Sequence, residues 1–233
     1  MSFIFIYLLV TKIMGICYYI KHHQYKTSFM KRLIGLQSIN NDANKVGDTI
    51  GQNNVVYNIL DFENYDWIND ELIASSLSNQ CRYVGNTGYF YSIAQHCVKG
   101  AESLMLMGHI YDAYQFLYHD ASEAFIGDMT RPLKNLVRDQ VDKIENQIMF
   151  MLGQRFNFPH DMSQLVKQMD KNLAQYEMSF MMDKTAPRDE FWSPEYAKNK
   201  WLYTKSVIVD LINFSNQSPV ESDQNGFNQL TYK

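Results

Sequence analysis

The chain has 233 residues, 46% of them hydrophobic and 20% charged, with a formal net charge of -4. That length suits one large or two small domains with a sizeable core, and 14% aromatic residues exclude a disordered chain. The mildly acidic balance points away from a long nucleic acid as partner, because phosphate affinity needs a broad basic face.

Collagen-like, coiled-coil and repeat compositions are also excluded. Gly (11) and Pro (5) are both scarce, which favours long uninterrupted helices. The expected fold class is therefore all-α. Residues 3–10 (FIFIYLLV) and 13–20 (IMGICYYI) are apolar and separated by Thr11 and Lys12. A signal peptide fits them poorly, since no basic residue precedes the run and no small-residue cleavage site follows. Three readings stay open. The run is a membrane anchor, with Lys21, Lys26, Lys31 and Arg32 holding the remainder in the cytoplasm; or it is an extension upstream of a true start at Met14 or Met30; or it is a packed helix. Cys17, Cys81 and Cys97 are odd in number and form no C-x-x-C pair, so a reducing, cytoplasmic compartment is the expectation.

Residues 33–60 are rich in Asn, Asp and Gly and read as a loop or linker. From Asp61 the apolar and aromatic density rises, and no proline occurs before Pro132. Asp70 to Leu77 reads as a short helix, and Arg82 to Thr87 as a turn around Gly85 and Asn86. Ser92 is a plausible N-cap for a helix over 92–107, with Ile93, His96, Gly100 and Leu104 on one stripe. A second helix is expected over 111–125, then a break bracketed by Gly127 and Pro132. Val137, Val141, Ile144, Ile148 and Leu152 make a third periodic face. A fourth, over 163–182, carries Val166, Asp170, Leu173, Glu177 and Phe180. The FWSPEY run after Pro187 is loop-like, 201–214 reads as a last helix, and 215–233 is a polar tail. No β-hairpin signal stands out. The expected organisation is an extension over 1–60, a helical domain over 61–214 and the tail.

Polar groups on apolar helical faces carry the chemistry. His96 lies on the Ile93–Leu104 stripe, His119 and Asp120 are adjacent inside an apolar helix, and Asp170 sits between Val166 and Leu173. A buried carboxylate without a partner costs several kcal/mol. Two carboxylates and two histidines on neighbouring helices therefore make a metal ion the economical answer. The N/O ligand set suits Mn, Fe, Co, Zn or Mg. Glu123, one turn beyond the His-Asp pair, can orient a water or take its proton. Taken singly, each residue has a plainer reading. His96 alone is a satisfied core histidine, and Asp170 alone is a salt-bridge partner of Lys167 or Lys171. Glu177 either bonds to a metal ligand or forms a structural salt bridge, and His109 and His160 face solvent.

The runs SLSNQCRYVGNTGYFYSIAQHCV, LYHDASEAFIGDMTRPLK and VKQMDKNLAQYE resemble, in order and spacing, the HD-domain phosphohydrolases. The nearest branch resembles the bacterial 5'-deoxynucleotidases and the phage deoxynucleoside triphosphohydrolases. The resemblance covers roughly residues 61–183. It implies an HD-type helical bundle with a divalent metal ion held by His96, His119, Asp120 and Asp170. It implies a catalytic role for Glu123, aided by Asp120. It places Asp128 on the substrate sugar and Arg82 and Lys134 on phosphate, while Arg131 either holds phosphate or caps a helix end. The implied activity is hydrolysis of a (deoxy)nucleotide phosphate. Hydrolysis of a guanosine alarmone and a catalytically silent nucleotide-binding or membrane-tethered scaffold are the alternatives. Many relatives have His where this chain has Asn86, which keeps a hydrogen-bond donor but cannot protonate. Spare apolar helix faces would permit a homodimer.

Overall fold

The computed structural model describes residues 48–50, 56–58, 65–182 and 186–217. The chain divides into two units, 1–61 and 62–233. The first contains an antiparallel ribbon of β1 (Asp48–Ile50) and β2 (Val56–Asn58), in register Asp48 to Asn58, Thr49 to Tyr57 and Ile50 to Val56. Residues 33–60 were expected to be a loop or linker, and within them this ribbon is the structured part among the described residues. It is three residues per strand, too short for an alternating pattern to emerge from the Asn- and Gly-rich background.

The second unit is an α-helical bundle. Its helices are α1 (Asp70–Asn79), α2 (Ile93–Leu106), α3 (Ile110–Tyr118), α4 (Glu123–Ile126), α5 (Arg131–Leu136), α6 (Arg138–Phe156), α7 (Gln164–Phe180) and α8 (Pro194–Gln217). Among the first seven, side-chain caps start three. Asn69 accepts from Leu72 N, Ser92 from Gln95 N and Ser163 from Val166 N, at 2.9–3.1 Å. Each such cap is worth about 1 kcal/mol. Helices α1, α2, α3 and α8 pack on one another, and α7 lies against α2 and α3. The core between them is filled by Ile73, Leu77, Ile93, Leu104, Phe116, Leu117, Tyr118, Trp201 and Ile208, all fully buried.

Two boundaries differ from expectation. Helix α8 begins at Pro194, inside the segment expected to be a loop. Ser193 Oγ accepts from Tyr196 N at 3.2 Å, and proline in the first turn loses no hydrogen bond because that N–H has no helical partner. The helix also runs on to Gln217, so residues 215–217 belong to it rather than to the tail.

The expected continuous helix over 111–125 is broken after Tyr118. Phe116 O accepts from His119 Nδ1 at 2.6 Å, and Leu117 O accepts from the indole of Trp201 at 3.2 Å. With those carbonyls engaged, the chain tightens: Ala121 N bonds to Tyr118 O and Glu123 N to Asp120 O, one residue short of the α spacing. His119 and Asp120 therefore sit in a turn and not on a straight helix.

Among the described residues no helix is long and apolar enough to cross a membrane. The apolar run 3–20 and the segment 218–233 lie outside the described residues.

Candidate metal centre

The approach of α2 and α3 places the two histidines. Gly100 lies one turn after His96, and a Cβ there would meet the Phe116 ring at 2.1 Å. Glycine lets that ring lie flat on α2. The ring then packs beside both imidazoles, 5.6 Å from His96 and 4.3 Å from His119 between centroids. His96 Nε2 and His119 Nε2 end 3.3 Å apart.

Two carboxylates close on that pair. Asp170, from α7, puts Oδ1 3.2 Å from His96 Nε2 and 3.7 Å from His119 Nε2. Asp120 puts Oδ1 3.2 Å from His119 Nε2 and Oδ2 3.8 Å from His96 Nε2. Asp170 thus faces the histidines, which settles the choice against Lys167 or Lys171 as its partner.

The tautomers follow from the outer nitrogens. His119 Nδ1 meets the Phe116 carbonyl, which only accepts, so Nδ1 carries the hydrogen. His96 Nδ1 donates to Glu177 Oε1 at 2.6 Å. In the neutral imidazoles both Nε2 lone pairs then point at each other and at two carboxylates. Such a set repels itself unless a cation lies within it, and each imidazole is locked in the tautomer that ligates through Nε2. Neutral imidazole with carboxylate oxygen is the donor chemistry of a divalent transition ion. His96, His119 and Asp170 offer ligand atoms within 4.8 Å of one another, as do Cys97, His119 and Asp120. The residues present can hold a metal ion.

Without an ion a proton takes that role. Burial lowers the pKa of His119, but the Asp120 charge and the bond to Asp170 outweigh it and hold the imidazole well above its ordinary value. Burial also pushes Asp170 up, and the bonds to His119 and His96 overcome it, leaving the carboxyl well below the usual range.

Glu177 is the hub behind the cluster. It is fully buried and lies two turns after Asp170 on α7. It accepts from His96 Nδ1, from Tyr83 OH at 2.7 Å and from Tyr91 OH at 2.8 Å. Burial alone would raise its carboxyl; His96, Arg82 and Tyr83 together hold it down at about 2. Both readings of Glu177 are therefore realised: it orients a histidine and pairs with a cation.

That cation is Arg82, whose Nη1 donates to Asp120 Oδ2 at 3.1 Å. Its Nε lies 3.3 Å from Glu177 Oε2 but lacks the alignment of a hydrogen bond. Burial disfavours the guanidinium, yet the charges of Glu177 and Asp120 keep it fully protonated. Arg82 sits on a strained turn. Tyr83 and Val84 adopt left-handed φ of 58° and 55° before Gly85 at 75°, which costs a non-glycine residue about 1–2 kcal/mol. The turn is held by Arg82 N on Tyr91 O, by Asn86 Nδ2 on Tyr83 O and by Tyr83 N on Asp128 Oδ2. Asn86 therefore has a local role, closing the turn from an exposed position.

Glu123 opens α4 with Oε2 shielded from solvent and without a hydrogen-bond partner. Burial, reinforced by Asp120 and Asp128, raises its carboxyl well above the ordinary value. Gln80 anchors this end by donating to Glu123 O at 2.9 Å and accepting from Asp128 N at 3.2 Å. Burial also raises Asp128.

The structure does not bring the other two expected cations into contact with the cluster. Lys134 pairs with Glu145 and lies 3.9 Å from Asp142, both on α6. Arg131 is exposed at the start of α5. His109 and His160 face solvent as expected. A separate cleft of about 400 Å³, lined among others by Tyr111, Tyr114, Phe158 and Ile212, includes none of the cluster residues.

Tyr83, Tyr91, Gln80 and Cys97 were not singled out in the sequence. Cys97 had a signal, its place next to His96. The others act through hydrogen bonds across the fold, which no local pattern encodes.

No protein-family model matches the chain. Over 103 residues the chain is 40% identical to an uncharacterized protein, YfdR, of Escherichia coli (strain K12). The match takes in 44% of this chain and 54% of that protein, so the chain spans about half the length of the curated relative it matches.

Proposed function

We propose that the chain is an HD-type, metal-dependent phosphohydrolase acting on (deoxy)nucleotides. The observation that carries this reading is the approach of the two Nε2 atoms to 3.3 Å, with Asp170 Oδ1 3.2 Å from His96 Nε2, Asp120 Oδ1 3.2 Å from His119 Nε2 and both outer nitrogens locked. His96, His119, Asp120 and Asp170 would hold a divalent ion such as Mn, Co, Mg, Fe or Zn. When bound, such an ion polarises a phosphoryl oxygen and lowers the pKa of a water.

The chain's own residues supply the remaining chemistry. Glu123 Oε2 has no hydrogen-bond partner and burial raises its carboxyl; in its ionised form it takes a proton from the attacking water and returns it to the leaving oxygen. Arg82 offers a permanently charged fork to phosphoryl oxygens, with its orientation set by Asp120 and Glu177. Asp128 keeps Oδ2 on Tyr83 N and turns its other oxygen to a sugar hydroxyl. Lys134 reaches phosphate only by leaving Glu145.

The test is a screen of the purified full chain with Mn, Co or Mg against ribo- and deoxynucleoside mono- and triphosphates. Orthophosphate released from monophosphates marks a nucleotidase, and tripolyphosphate released from triphosphates marks a triphosphohydrolase. No product from any of them sinks the enzymatic reading. Replacing Glu123 with Gln should keep metal affinity while lowering kcat by about 10²–10⁴-fold; an unchanged kcat removes Glu123 from the mechanism.

A further inference from the structure

The metal reading uses His96 but leaves its neighbour Cys97 unexplained. Cys97 is fully buried on α2 and has no disulfide partner. Its Sγ, a His119 nitrogen and an Asp120 oxygen all lie within 4.8 Å of one another. His119 Nδ1 is committed to the Phe116 carbonyl, so Nε2 is the atom left for an ion, and Asp120 Oδ1 is already 3.2 Å from it.

Two three-residue ligand sets therefore overlap on one imidazole nitrogen. His96, His119 and Asp170 form a set of nitrogen and oxygen. Cys97, His119 and Asp120 form a set that includes sulfur. One lone pair binds one ion, so the sets compete. Ligand softness separates them, because thiolate favours thiophilic ions, whereas Mg and Mn prefer oxygen.

Resting on the metal-centre reading, we propose that Cys97, His119 and Asp120 form an alternative ligand set that captures thiophilic divalent ions such as Zn, Co or Cd. Ligation breaks the Cys97 S–H bond and forms a sulfur–metal bond, with the proton leaving to buffer. The ion itself drives the deprotonation. An ion held this way has no need of His96 or Asp170.

Cobalt(II) is the probe, titrated into the full chain after chelator treatment. The expected result is a near-ultraviolet sulfur-to-cobalt charge-transfer band in the unsubstituted chain and in H96A. The band should be lost in C97S, which keeps the weaker visible bands of nitrogen and oxygen ligation. Visible bands without a sulfur band in the unsubstituted chain overturn the proposal and leave the metal centre standing. So does a sulfur band that persists in C97S, since Cys17 or Cys81 would then be its source. Failure of cobalt to bind at all removes the metal centre and the proposal together. Should C97S not fold, zinc X-ray absorption of the unsubstituted chain decides. A sulfur at about 2.3 Å supports the set, and a shell of only nitrogen and oxygen at about 2.0–2.2 Å overturns it.

Discussion

Two carboxylate-rich regions of the helical unit show opposite electrostatics. On α6, Glu145 pairs with Lys134, and Asp142 lies 3.9 Å from the same ammonium. Between α2, the turn after α3 and α7, three carboxylates (Asp120, Asp170 and Glu177) meet two imidazoles, each held by its outer nitrogen, and one guanidinium. The first arrangement is a half-exposed ion pair of the kind worth at most about 1 kcal/mol. The second is largely buried and sets carboxylates against imidazole nitrogens, so it can hold a cation. An excess of carboxylates alone does not separate the regions; burial and the approach of the imidazoles do.

The contrast breaks most completely at His119, whose Nε2 belongs to both ligand sets. H119A should lose measurable binding of Mn or Co by calorimetry, with turnover lost alongside. A variant that still binds either ion with unchanged stoichiometry moves the centre elsewhere.

Next in size is Glu177, the acceptor that orients His96. E177Q should weaken metal affinity by about 10–100-fold, the usual effect of removing a ligand's outer hydrogen-bond partner. The same carboxyl governs acid stability of the metal-free chain. Its folded pKa is lowered from 4.5 to about 2, so its stabilisation is present above pH 4.5 and lost as pH falls through about 2. The size is roughly 3 kcal/mol on the linkage scale. Thermal melts across that range should show this loss in the unsubstituted chain and a flatter profile in E177Q. Identical profiles would remove the ion pairing assigned to Glu177.

Gly100 sharpens the comparison by moving the histidines rather than deleting one. G100A forces the buried Phe116 ring off α2, which should destabilise the fold by about 1–3 kcal/mol. Because that ring also packs on His96 and His119, metal affinity should fall with stability. Denaturant titration and calorimetry on one sample check both, and a stable variant with intact affinity shows that the helices can separate without disturbing the ligands.

The smallest effect belongs to the closed pair. K134A should shift stability by less than about 1 kcal/mol and leave metal affinity unchanged. A large rise in KM for a nucleotide would show that Lys134 exchanges Glu145 for phosphate.

Much of the site was legible before any fold was known. His96, His119, Asp120 and Asp170 stand out because polar, ionisable residues interrupt apolar stripes whose periods predict helices. Less legible was the break after Tyr118. It depends on Trp201, more than 80 residues away in the chain, taking the Leu117 carbonyl. The start of α8 was hidden because proline and serine read as loop residues, although both also begin helices. The pairing of Lys134 with α6 was equally hidden, since charge spacing alone does not say which partner a flexible side chain meets.

By itself the sequence determined the all-α class, the cap at Ser92 and the four residues that can ligate an ion. Those properties follow from local propensity and from the cost of burying charge, both of which are written residue by residue. Only the tertiary structure decided the rest. It set the tautomers through Phe116 and Glu177, and it made Glu177 a shared acceptor for His96, Tyr83 and Tyr91. It also brought Cys97 against His119 and Asp120. Such pairings depend on which atoms meet when helices pack within a few ångströms, and that distance is a property of the whole core rather than of any segment.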